Sequence, residues 1–534
     1  MSDAICFNGD ILTMEGDEPR YVEALFVRDG RILATGTKSE MTKLVGKDTK
    51  LLNLQGRTLM PSFLDPHSHI TAYAEILSQA RLGSASSFDE LVGCLKKFLE
   101  ERSLAPGEFL MGFGYDHNSL EEGRHPTREV LDRVSGTIPV IAVHASGHMA
   151  VLNTAALLTL GIDAKTPEVP GGRIGREADG ETPDGYLEEK AFMTFSSKIP
   201  RPSSGSAADA LEKAQDIYVS YGITTIQDGL TEEAAFTLLK EAAMAGRLKT
   251  DIVCYADLLK APELVQKEPE YDRHYNRHLK IGGYKIILDG SPQGRTAWLS
   301  KPYEEAEDGY SGYPVYTQEQ VDTYVERSEG EGRQLLVHCN GDAAAEQMIG
   351  AYPKPTQLRP VMIHAQTVRR DQLVRMKELG IIPSFFIAHV YHWGEIHRKN
   401  LGEDRADRIS PAKEAADLNM TYTFHQDTPV IEPDMLETVW CAVNRKTRSG
   451  QTLGAEYVVT PYEALQAVTC HAARQYFEED EKGTLSPGKL ADMIVLSENP
   501  LKAEPDAIRR IRVLATLKEG ELLYEAPKET KQDL

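Results

Sequence analysis

The sequence predicts an α/β protein in which a barrel of βα units carries a long insertion and is flanked by a small β-rich domain. Three observations predict this fold. Both ends of the 534-residue chain are rich in short strands, the middle alternates apolar strands with amphipathic helices, and one stretch is far longer than a βα unit. A hydrophobic content of 41% is ample for a core of this size.

The two ends of the chain carry the strand pattern of one small domain. Short β-rich runs occupy residues 5–14, 22–27, 31–37 and 51–59 near the N-terminus and residues 491–496, 512–517 and 522–524 near the C-terminus. The dipeptide Asp29-Gly30 is a strong hairpin signal, and Glu519-Gly520 gives a second turn. We therefore expect residues 1–60 and 471–534 to form one small β-rich domain, with the barrel over 61–470.

Apolar runs typical of barrel strands recur through the middle of the chain. They cover residues 222–229, 282–290, 333–342, 359–366, 380–389 and 420–429. Most of these runs end in a polar residue or a histidine. Because the carboxyl ends of barrel strands meet at one face and carry the functional groups there, this pattern predicts a site at that face.

The first half of the barrel contains more residues than its βα units require. His69 and Lys285 are 216 positions apart, whereas three βα units need only about 90 residues. We therefore expect an inserted segment at about residues 84–215. Since segments inserted at a catalytic face often form lids, we expect this one to cover the site and to set specificity.

Composition excludes several classes of function. A formal net charge of −22 argues against a nucleic-acid partner, because binding phosphate requires a basic face. The chain lacks an apolar run of about 18 residues, so no membrane span is expected. The N-terminus does not resemble a secretory signal, and the six scattered cysteines form no C-x-x-C pair. We expect a cytoplasmic protein that acts on a small molecule.

The first candidate ligands are two histidines in the segment FLDPHSHI. His67 and His69 are two positions apart at the end of the first central strand, and such residues point to the same side of a strand. Two imidazoles placed in this way can hold one metal ion from the barrel interior. The alternative is an ordinary pair of polar residues at a strand end, because an isolated H-x-H has little specificity.

Two further histidines and an aspartate strengthen the metal-site hypothesis. His338 and His364 each close an apolar strand, where an imidazole without a partner is costly. They are 26 positions apart, which matches one βα unit of about 30 residues, and Asp427 lies 63 positions further on, which fits two. The alternative is a core histidine that is satisfied by a backbone carbonyl.

Lys285 is the sixth candidate. It lies inside the apolar strand YKIILDGS, where burial would lower the pKa of the amine toward neutrality. A neutral amine can capture carbon dioxide as a carbamate, which can bridge two metal ions. From spacing alone we favour the alternative, a lysine that reaches the barrel end and pairs with Asp289.

Together these residues resemble the amidohydrolase superfamily, and in particular its branch of N-substituted formamide deformylase-like enzymes (amidohydrolase family 3). The resemblance extends from about residue 9 to residue 496. Besides the ligand candidates, it includes the stretches SGHMAVLNTAAL, KIILDGSPQGRTAWL, VHCNGDAA, HAQ, QDTPV and GTLSPGKLADMIVL. It implies a TIM-like (β/α)8 barrel with a small β-sandwich domain formed from both termini.

The resemblance also implies a role for each ligand candidate. His67, His69 and Asp427 would bind the more buried metal ion, His338 and His364 would bind a second, and Lys285 would bridge them as an N6-carboxylated side chain. We expect one or two divalent ions, and zinc best suits the mixed nitrogen and oxygen ligands, with iron, manganese and cobalt as alternatives. The implied reaction is hydrolysis of a C–N bond other than a peptide bond, in an amide, formamide or cyclic amide.

The sequence suggests further roles around this centre. Asp427 would be catalytic, taking a proton from the activated water and passing it to the leaving amine. The candidate substrate-binding residues are His148, Arg295, His389, His392, Trp393 and His425. A structural turn at His148, a surface ion pair at Arg295 and a place for His425 among the metal ligands are the alternatives.

Two other functions stay open at this stage. A metal-dependent deaminase of a nitrogen heterocycle would use similar water activation, but a one-metal deaminase has no need of a bridging group at Lys285. A non-catalytic metal-binding homologue is the other alternative, and the intact set of six ligand candidates argues against it. We expect a homodimer only because two-fold assemblies are the most common.

Overall fold

The computed structural model describes residues 3–101, 104, 107–117, 119–144, 149–170, 172–199 and 204–527. The chain folds into two compact units, one of Met1–Thr71 with Gln215–Leu534 and one of Ala72–Ala214. The second unit corresponds to the expected insertion, although it begins at residue 72 rather than near 84. The terminal strands and the parallel sheet both belong to the first unit, so the division expected between them stays a prediction.

A sheet of eight parallel strands forms the centre of the first unit. In spatial order its strands are Phe63–Leu64, Ile223–Thr231, Asp251–Asp257, Leu279–Ile287, Gln334–Cys339, Val361–His364, Ile382–Phe385 and Thr423–Phe424. Every neighbouring pair is parallel. Spatial order follows chain order, as successive βα units require.

The sheet curls so that the segments beyond its two edge strands meet. The backbone N–H of His69, which follows the first strand, donates to the carbonyl of Thr428, which follows the last, at 2.8 Å. The predicted runs correspond to strands of this sheet. The strand Asp251–Asp257 was missing from the prediction, because an apolar run of this length fits a buried strand and a buried helix equally well.

Helices cover most of the connections in the first unit. They are Glu233–Met244, Leu264–Lys267, Gln318–Gly330, Asp342–Gly350, Arg370–Leu379, His389–Leu401, Glu403–Asp407, Ala412–Asp417, Met435–Asn444, Pro461–Ala467 and Cys470–Gln475, with 3-10 turns at Pro269–Tyr271, Glu307–Gly309, Ala455–Tyr457 and Pro505–Arg510. Two further helices, Ile70–Leu77 and Ser204–Ser220, each contain residues of both units. Capping side chains and glycines determine where several of these helices begin or end. Thr317 and Gln320 form a capping box, and Gly380 ends its helix with φ of 81°. Within the described ranges, every helix is too short or too polar to cross a bilayer.

Strands from both ends of the chain pair in one sheet. Its members are Ala4–Leu12, Tyr21–Arg28, Arg31–Gly36, Lys50–Asn53, Thr58–Pro61, Met493–Leu496, Val513–Lys518 and Glu521–Glu525, with one short helix at Lys38–Thr42. The junction is antiparallel, with Met493 opposite Pro61 and Leu496 opposite Thr58. Hydrogen bonds join all eight strands into a single mixed sheet, and the sandwich arrangement expected for them stays a prediction.

The inserted unit has its own sheet and its own apolar core. Its strands are Ala80–Arg81, Leu110–Tyr115, Val140–His144, Met149–Leu152, Gly172–Arg176 and Pro183–Glu189, and its helices are Phe88–Glu100, Arg128–Asp132, Thr154–Leu160 and Lys190–Ser196. The first three strands are parallel and the others antiparallel. Buried clusters on the two faces include Leu91 and Leu110 on one and Ile141 and Leu157 on the other. The lid role stays a prediction.

A buried ion cluster links the parallel sheet to the C-terminal strands. The Asp251 carboxylate lies 2.5 Å from Lys482 Nζ and 2.7 Å from Lys518 Nζ, and all three side chains are buried. His278 Nδ1 lies 2.7 Å from the other carboxylate oxygen. Burial alone would raise the pKa of Asp251, but the two ammonium groups hold it well below its usual range.

We expect Asp251→Asn to destabilise the protein by about 3 kcal/mol, because two buried ammonium groups lose the carboxylate that they share. Lys482 then keeps the Glu478 carboxylate, and Lys518 keeps Asp492 and Glu519 at longer distances. Chemical denaturation measures this loss. In the wild-type protein the contribution is present above the unfolded-state pKa of about 3.9 and is lost as the pH falls below it, since folding lowers this pKa. Glu263→Gln, at an exposed carboxylate, is the control. A loss below about 1 kcal/mol, as for a surface ion pair, would contradict the assignment.

Candidate metal centre

The parallel sheet brings all six ligand candidates together at the carboxyl ends of its strands. His67 and His69 follow the first strand and Asp427 follows the last. His364 is the last residue of the strand Val361–His364, and His338 is the last but one of Gln334–Cys339. Lys285 lies on the strand Leu279–Ile287, which neighbours the strand of His338, and it is paired there with Leu336. Side chains far apart in the chain therefore meet because parallel strands deliver their ends to one face.

The first group consists of two imidazoles and one carboxylate. His67 Nε2 and His69 Nε2 lie 3.3 Å and 3.2 Å from Asp427 Oδ1. The ligand atoms of all three residues lie within 4.8 Å of one another. Ligands at about 2.0–2.2 Å from one zinc ion would be separated by similar distances. Asp427 Oδ1 is buried and has no hydrogen-bond partner among the described residues, so this set fits a cation.

The second group is a pair of imidazoles beside the first. His338 Nδ1 lies 2.9 Å from His364 Nε2, and the two rings meet edge to face. His364 Nε2 is 4.0 Å from Asp427 Oδ2, the carboxylate oxygen that is not shared by His67 and His69. The carboxylate of Asp427 therefore faces both groups.

Lys285 lies between these groups, and its side chain is only 2% exposed. Its Nζ is 3.4 Å from His67 Nε2. Burial lowers the pKa of this amine to about 7, although the charge of Asp427 opposes the shift. The alternative pairing with Asp289 is wrong, because the Asp289 carboxylate instead accepts the backbone N–H groups of Trp298, Asn340 and Gly341.

Hydrogen bonds to oxygen acceptors fix two of the imidazoles in a tautomer that suits a metal ligand. His67 Nδ1 lies 2.6 Å from the amide oxygen of Gln227, and His69 Nδ1 contacts the carbonyl of Gly229. Since the nitrogen that faces such an oxygen must carry the proton, Nε2 of each ring keeps its lone pair toward the centre. His338 Nε2 lies between an acceptor and a donor, 3.2 Å from the carbonyl of Gly290 and 3.0 Å from the side-chain nitrogen of Asn340.

His364 is held by a relay rather than by a carbonyl. Its Nδ1 lies 3.2 Å from His425 Nε2, and His425 Nδ1 lies 2.9 Å from Ser384 Oγ. A proton on each Nδ1 satisfies both hydrogen bonds and leaves His364 Nε2 free to bind a metal ion. His425 is fully buried, and both of its ring nitrogens are engaged within the protein. It therefore has no free ring nitrogen for the substrate contact expected from the sequence.

The electrostatics favour neutral rings at three of the four imidazoles and an ionised carboxylate. Burial, with the charge of Lys285 adding to it, lowers the pKa of His67 to about 3 and that of His338 to about 4. Burial also holds the pKa of His364 well below its usual range. At Asp427 burial alone would raise the pKa, but His67 and His69 hold it well below normal. His67, His338 and His364 are therefore neutral near pH 7, as metal binding requires. At His69 burial alone would lower the pKa, but the Asp427 carboxylate raises it above its usual value.

Two of the ligand candidates have strained backbones. His364 has φ of 74° and Asp427 has φ of 56°, both in the left-handed region that side chains other than glycine rarely adopt. Such conformations cost about 1–3 kcal/mol each and cluster at functional sites. Position 229 requires a glycine for a steric reason, because a Cβ there would lie only 2.7 Å from Cε1 of His67. Unfavourable backbone conformations thus place the imidazole of His364 and the carboxylate of Asp427 at the site.

Two of the expected substrate-binding residues pack behind the ligands. His389 is buried, and its Nδ1 lies 3.2 Å from Nε2 of His397. Trp393 packs against His389 and Phe386, with ring centroids 4.5 Å and 5.9 Å away. Phe386 in turn lies 6.3 Å from the ring of His364. His389 and Trp393 therefore belong to an aromatic layer beside the centre, and substrate contact stays a prediction for both.

The remaining predicted residues lie elsewhere on the first unit or outside the described ranges. His392 is partly buried between Glu437 and Arg448, at 3.1 Å and 3.0 Å. Arg295 donates to the carbonyl of Glu304 at 3.1 Å and lies over the ring of Tyr303. His148 lies outside the described residues. Substrate binding by these three residues stays a prediction.

Sequence reasoning missed two residues that support the site, Gln227 and Ser384. Gln227 also donates to the carbonyl of Pro66 and to the Tyr476 hydroxyl oxygen, so its amide oxygen is held toward His67. Both residues are fully buried polar side chains inside β-branched or apolar runs. A buried polar residue in a strand was the signal that identified His338, and the same signal applied to every strand would have found both.

We expect His425→Phe to weaken binding of the second metal ion, because it removes the acceptor that fixes the tautomer of His364. Loss of such an outer partner costs about 10–100-fold in metal affinity or activity. Competition with a chelator measures the affinity, and Ser384→Ala should give a smaller loss in the same direction. Unchanged affinity in His425→Phe, in a protein that melts like the wild type, would contradict the relay.

Comparison with known proteins relates the chain to one family of hydrolases. The sequence profile of the Amidohydrolase family matches residues 50–524. The N-substituted formamide deformylase of Arthrobacter pascens is 26% identical, with 98% of this chain and 99% of that protein covered. Uncharacterized metal-dependent hydrolases of Pyrococcus furiosus and Pyrococcus horikoshii OT3 are 28% and 26% identical, with TM-scores of 0.76 and 0.77. Each alignment covers 94% of this chain, and they cover 100% and 99% of those structures.

Proposed function

The chain belongs to the amidohydrolase family, and on that premise we propose that it is a metal-dependent hydrolase that cleaves a C–N bond other than a peptide bond, in an amide, formamide or cyclic amide. One observation carries the proposal. Four imidazoles meet beside Asp427 and Lys285, and oxygen acceptors at Nδ1 of His67 and His69 leave a lone pair on each Nε2 facing the carboxylate. A deformylase of N-substituted formamides among the relatives supports the choice of bond.

The residues divide between two metal positions. His67, His69 and Asp427 suit one ion, and His338 and His364 suit a second. Zinc is the proposed metal because it accepts this mixture of imidazole and carboxylate ligands. When bound at such a site, a divalent ion activates water at neutral pH and polarises the scissile carbonyl.

Asp427 is the proposed proton carrier. Its Oδ1 faces His67 and His69, while Oδ2 faces the His364 side, so the two oxygens have separate surroundings. Its lowered pKa keeps it ionised before the reaction. It accepts a proton from the attacking water and delivers it to the departing nitrogen, which must leave as a neutral amine.

Lys285 is the proposed bridge between the metal positions. A neutral amine attacks the carbon of carbon dioxide and loses one proton, which gives a carbamate anion with two oxygen atoms. The depressed pKa of Lys285 supplies the neutral amine near pH 7, and its place between the two groups suits a bridging ligand. Carboxylation therefore converts a poor metal ligand into one with the charge and oxygen donors that the site needs.

A product-resolved assay tests the proposal. Purified protein with bound zinc is incubated with N-substituted formamides, N-acyl amines, cyclic amides, amino-substituted heterocycles and Xaa-Pro dipeptides. We expect release of a substituted amine and a carboxylic acid, or ring opening, with loss of turnover when a chelator removes the metal. Ammonia release from a heterocycle would indicate a deaminase, dipeptide cleavage would indicate a peptidase, and stoichiometric metal without turnover would indicate a binding protein. Each of these results would contradict the proposal.

A further inference from the structure

A second group of potential metal ligands lies entirely within the inserted unit. The parallel strands Leu110–Tyr115 and Val140–His144 are neighbours, and their last residues, Tyr115 and His144, are paired in register. Asp116 and His117 follow Tyr115 directly. Two adjacent parallel strands therefore bring one carboxylate and two imidazoles to the same end of this sheet.

The three ligand atoms form a compact triangle. His117 Nδ1 is 3.2 Å from His144 Nε2, and Asp116 Oδ1 is 3.7 Å from His117 Nδ1 and 3.6 Å from His144 Nε2. Ligands at about 2.0–2.1 Å from a tetrahedral zinc ion are separated by about 3.3 Å. The triangle therefore has nearly the size of one face of a zinc tetrahedron.

Neighbouring aromatic side chains hold the two imidazoles in place. His125 stacks on the ring of His117 at 4.1 Å between centroids, and it meets the ring of His144 at 5.7 Å. His125 Nδ1 lies 3.0 Å from the hydroxyl of Tyr115, a fully buried residue. Rings packed in this way lose little further freedom when a metal binds, which favours binding.

The charge and exposure of this triangle also suit a cation. Asp116 contributes a carboxylate beside the two imidazoles. The side chains of His144, His117 and Asp116 are 9%, 28% and 42% exposed. Among these three described side chains, His144 is therefore the most buried and Asp116 the most exposed.

We propose that Asp116, His117 and His144 form a zinc site in the inserted unit. All three of these ligands belong to this unit, so the site does not require the metal ligands of the parallel sheet. Zinc is the proposed ion because it binds imidazole and carboxylate ligands at these separations.

Zinc stoichiometry in full-length variants tests the proposal. After equilibration at one buffered free zinc concentration, we expect His117→Ala and His144→Ala each to hold one zinc ion fewer per chain than the wild type. His274→Ala, at an exposed histidine on the first unit, should match the wild type, and so should His125→Phe, which keeps the stacked ring. His338→Ala should lose zinc only from the other centre, so that the double variant His117→Ala/His338→Ala loses more than either single variant.

The same proteins loaded with cobalt give an independent readout. Tetrahedral cobalt absorbs visible light, and we expect His117→Ala to remove one component of that absorption. If His144→Ala fails to fold, the partly exposed His117 still decides the question. Wild-type zinc content and an unchanged cobalt spectrum in a folded His117→Ala protein would overturn the proposal and leave a hydrogen-bonded pair of histidines beside Asp116.

Discussion

Asp427→Asn is expected to remove nearly all turnover while the protein stays folded. The substitution keeps the shape of the side chain but removes the charge that both imidazole groups face. A positioned proton carrier contributes about 10²–10⁴-fold to a rate. Because the same carboxylate is a proposed metal ligand, we expect kcat to fall by at least about three orders of magnitude.

Three measurements on one preparation separate the roles of Asp427. These are kcat on the substrate found by the product-resolved assay, metal content and the thermal unfolding curve. Glu432→Gln, at an exposed carboxylate, controls for the loss of one negative charge. If a folded Asp427→Asn protein with normal metal content retained wild-type kcat, Asp427 would not carry the proton. If activity fell only in step with metal content, Asp427 would act as a ligand alone.

Lys285→Ala is expected to cost about two to three orders of magnitude in kcat, because it removes the proposed bridge between the two metal positions. Metal content should fall with it. The truncation also leaves a buried cavity beside His67 Nε2, since the lysine side chain is 2% exposed. We therefore expect acetate or propionate to restore part of the activity in a dose-dependent manner, by supplying a carboxylate where the carbamate had been.

Lys285→Met is the matched control for that rescue. The methionine side chain fills the space of the lysine, so a small carboxylate has no cavity to enter and rescue should fail. Mass spectrometry of the intact wild-type protein under mild conditions should also show the addition of one carbon dioxide. Wild-type activity in Lys285→Ala, or equal responses of both variants to acetate, would contradict the bridging role.

The sequence was informative wherever a ligand closes an apolar strand. His338 and His364 could be identified because a polar residue at the end of a buried run is costly and therefore needs a partner. Their spacing then placed them on neighbouring strands, which pair in the structure with His338 opposite Ile363 and Cys339 opposite His364. Periodicity and spacing thus indicated both the parallel sheet and the face that carries the site.

The residues that form hydrogen bonds with the ligand side chains could not be predicted from the sequence in this way. Gln227 is 160 positions from His67, and the two meet only because their strands are neighbours in the sheet. The partner of Lys285 could not be predicted either. Spacing in the sequence favoured Asp289, but in the structure the Asp289 carboxylate accepts hydrogen bonds from three backbone N–H groups. Such contacts depend on side-chain direction in the folded sheet, which a linear pattern does not contain.

Anomalous diffraction from crystals grown with zinc, recorded on both sides of the zinc absorption edge, tests the central claim most directly. We expect one peak within bonding distance of His67 Nε2, His69 Nε2 and Asp427 Oδ1. A second peak should lie at His338 Nδ1 and His364 Nε2, with extra density continuous with Lys285 Nζ. Zinc peaks elsewhere on the protein, with these side chains in place around an empty centre, would contradict the account.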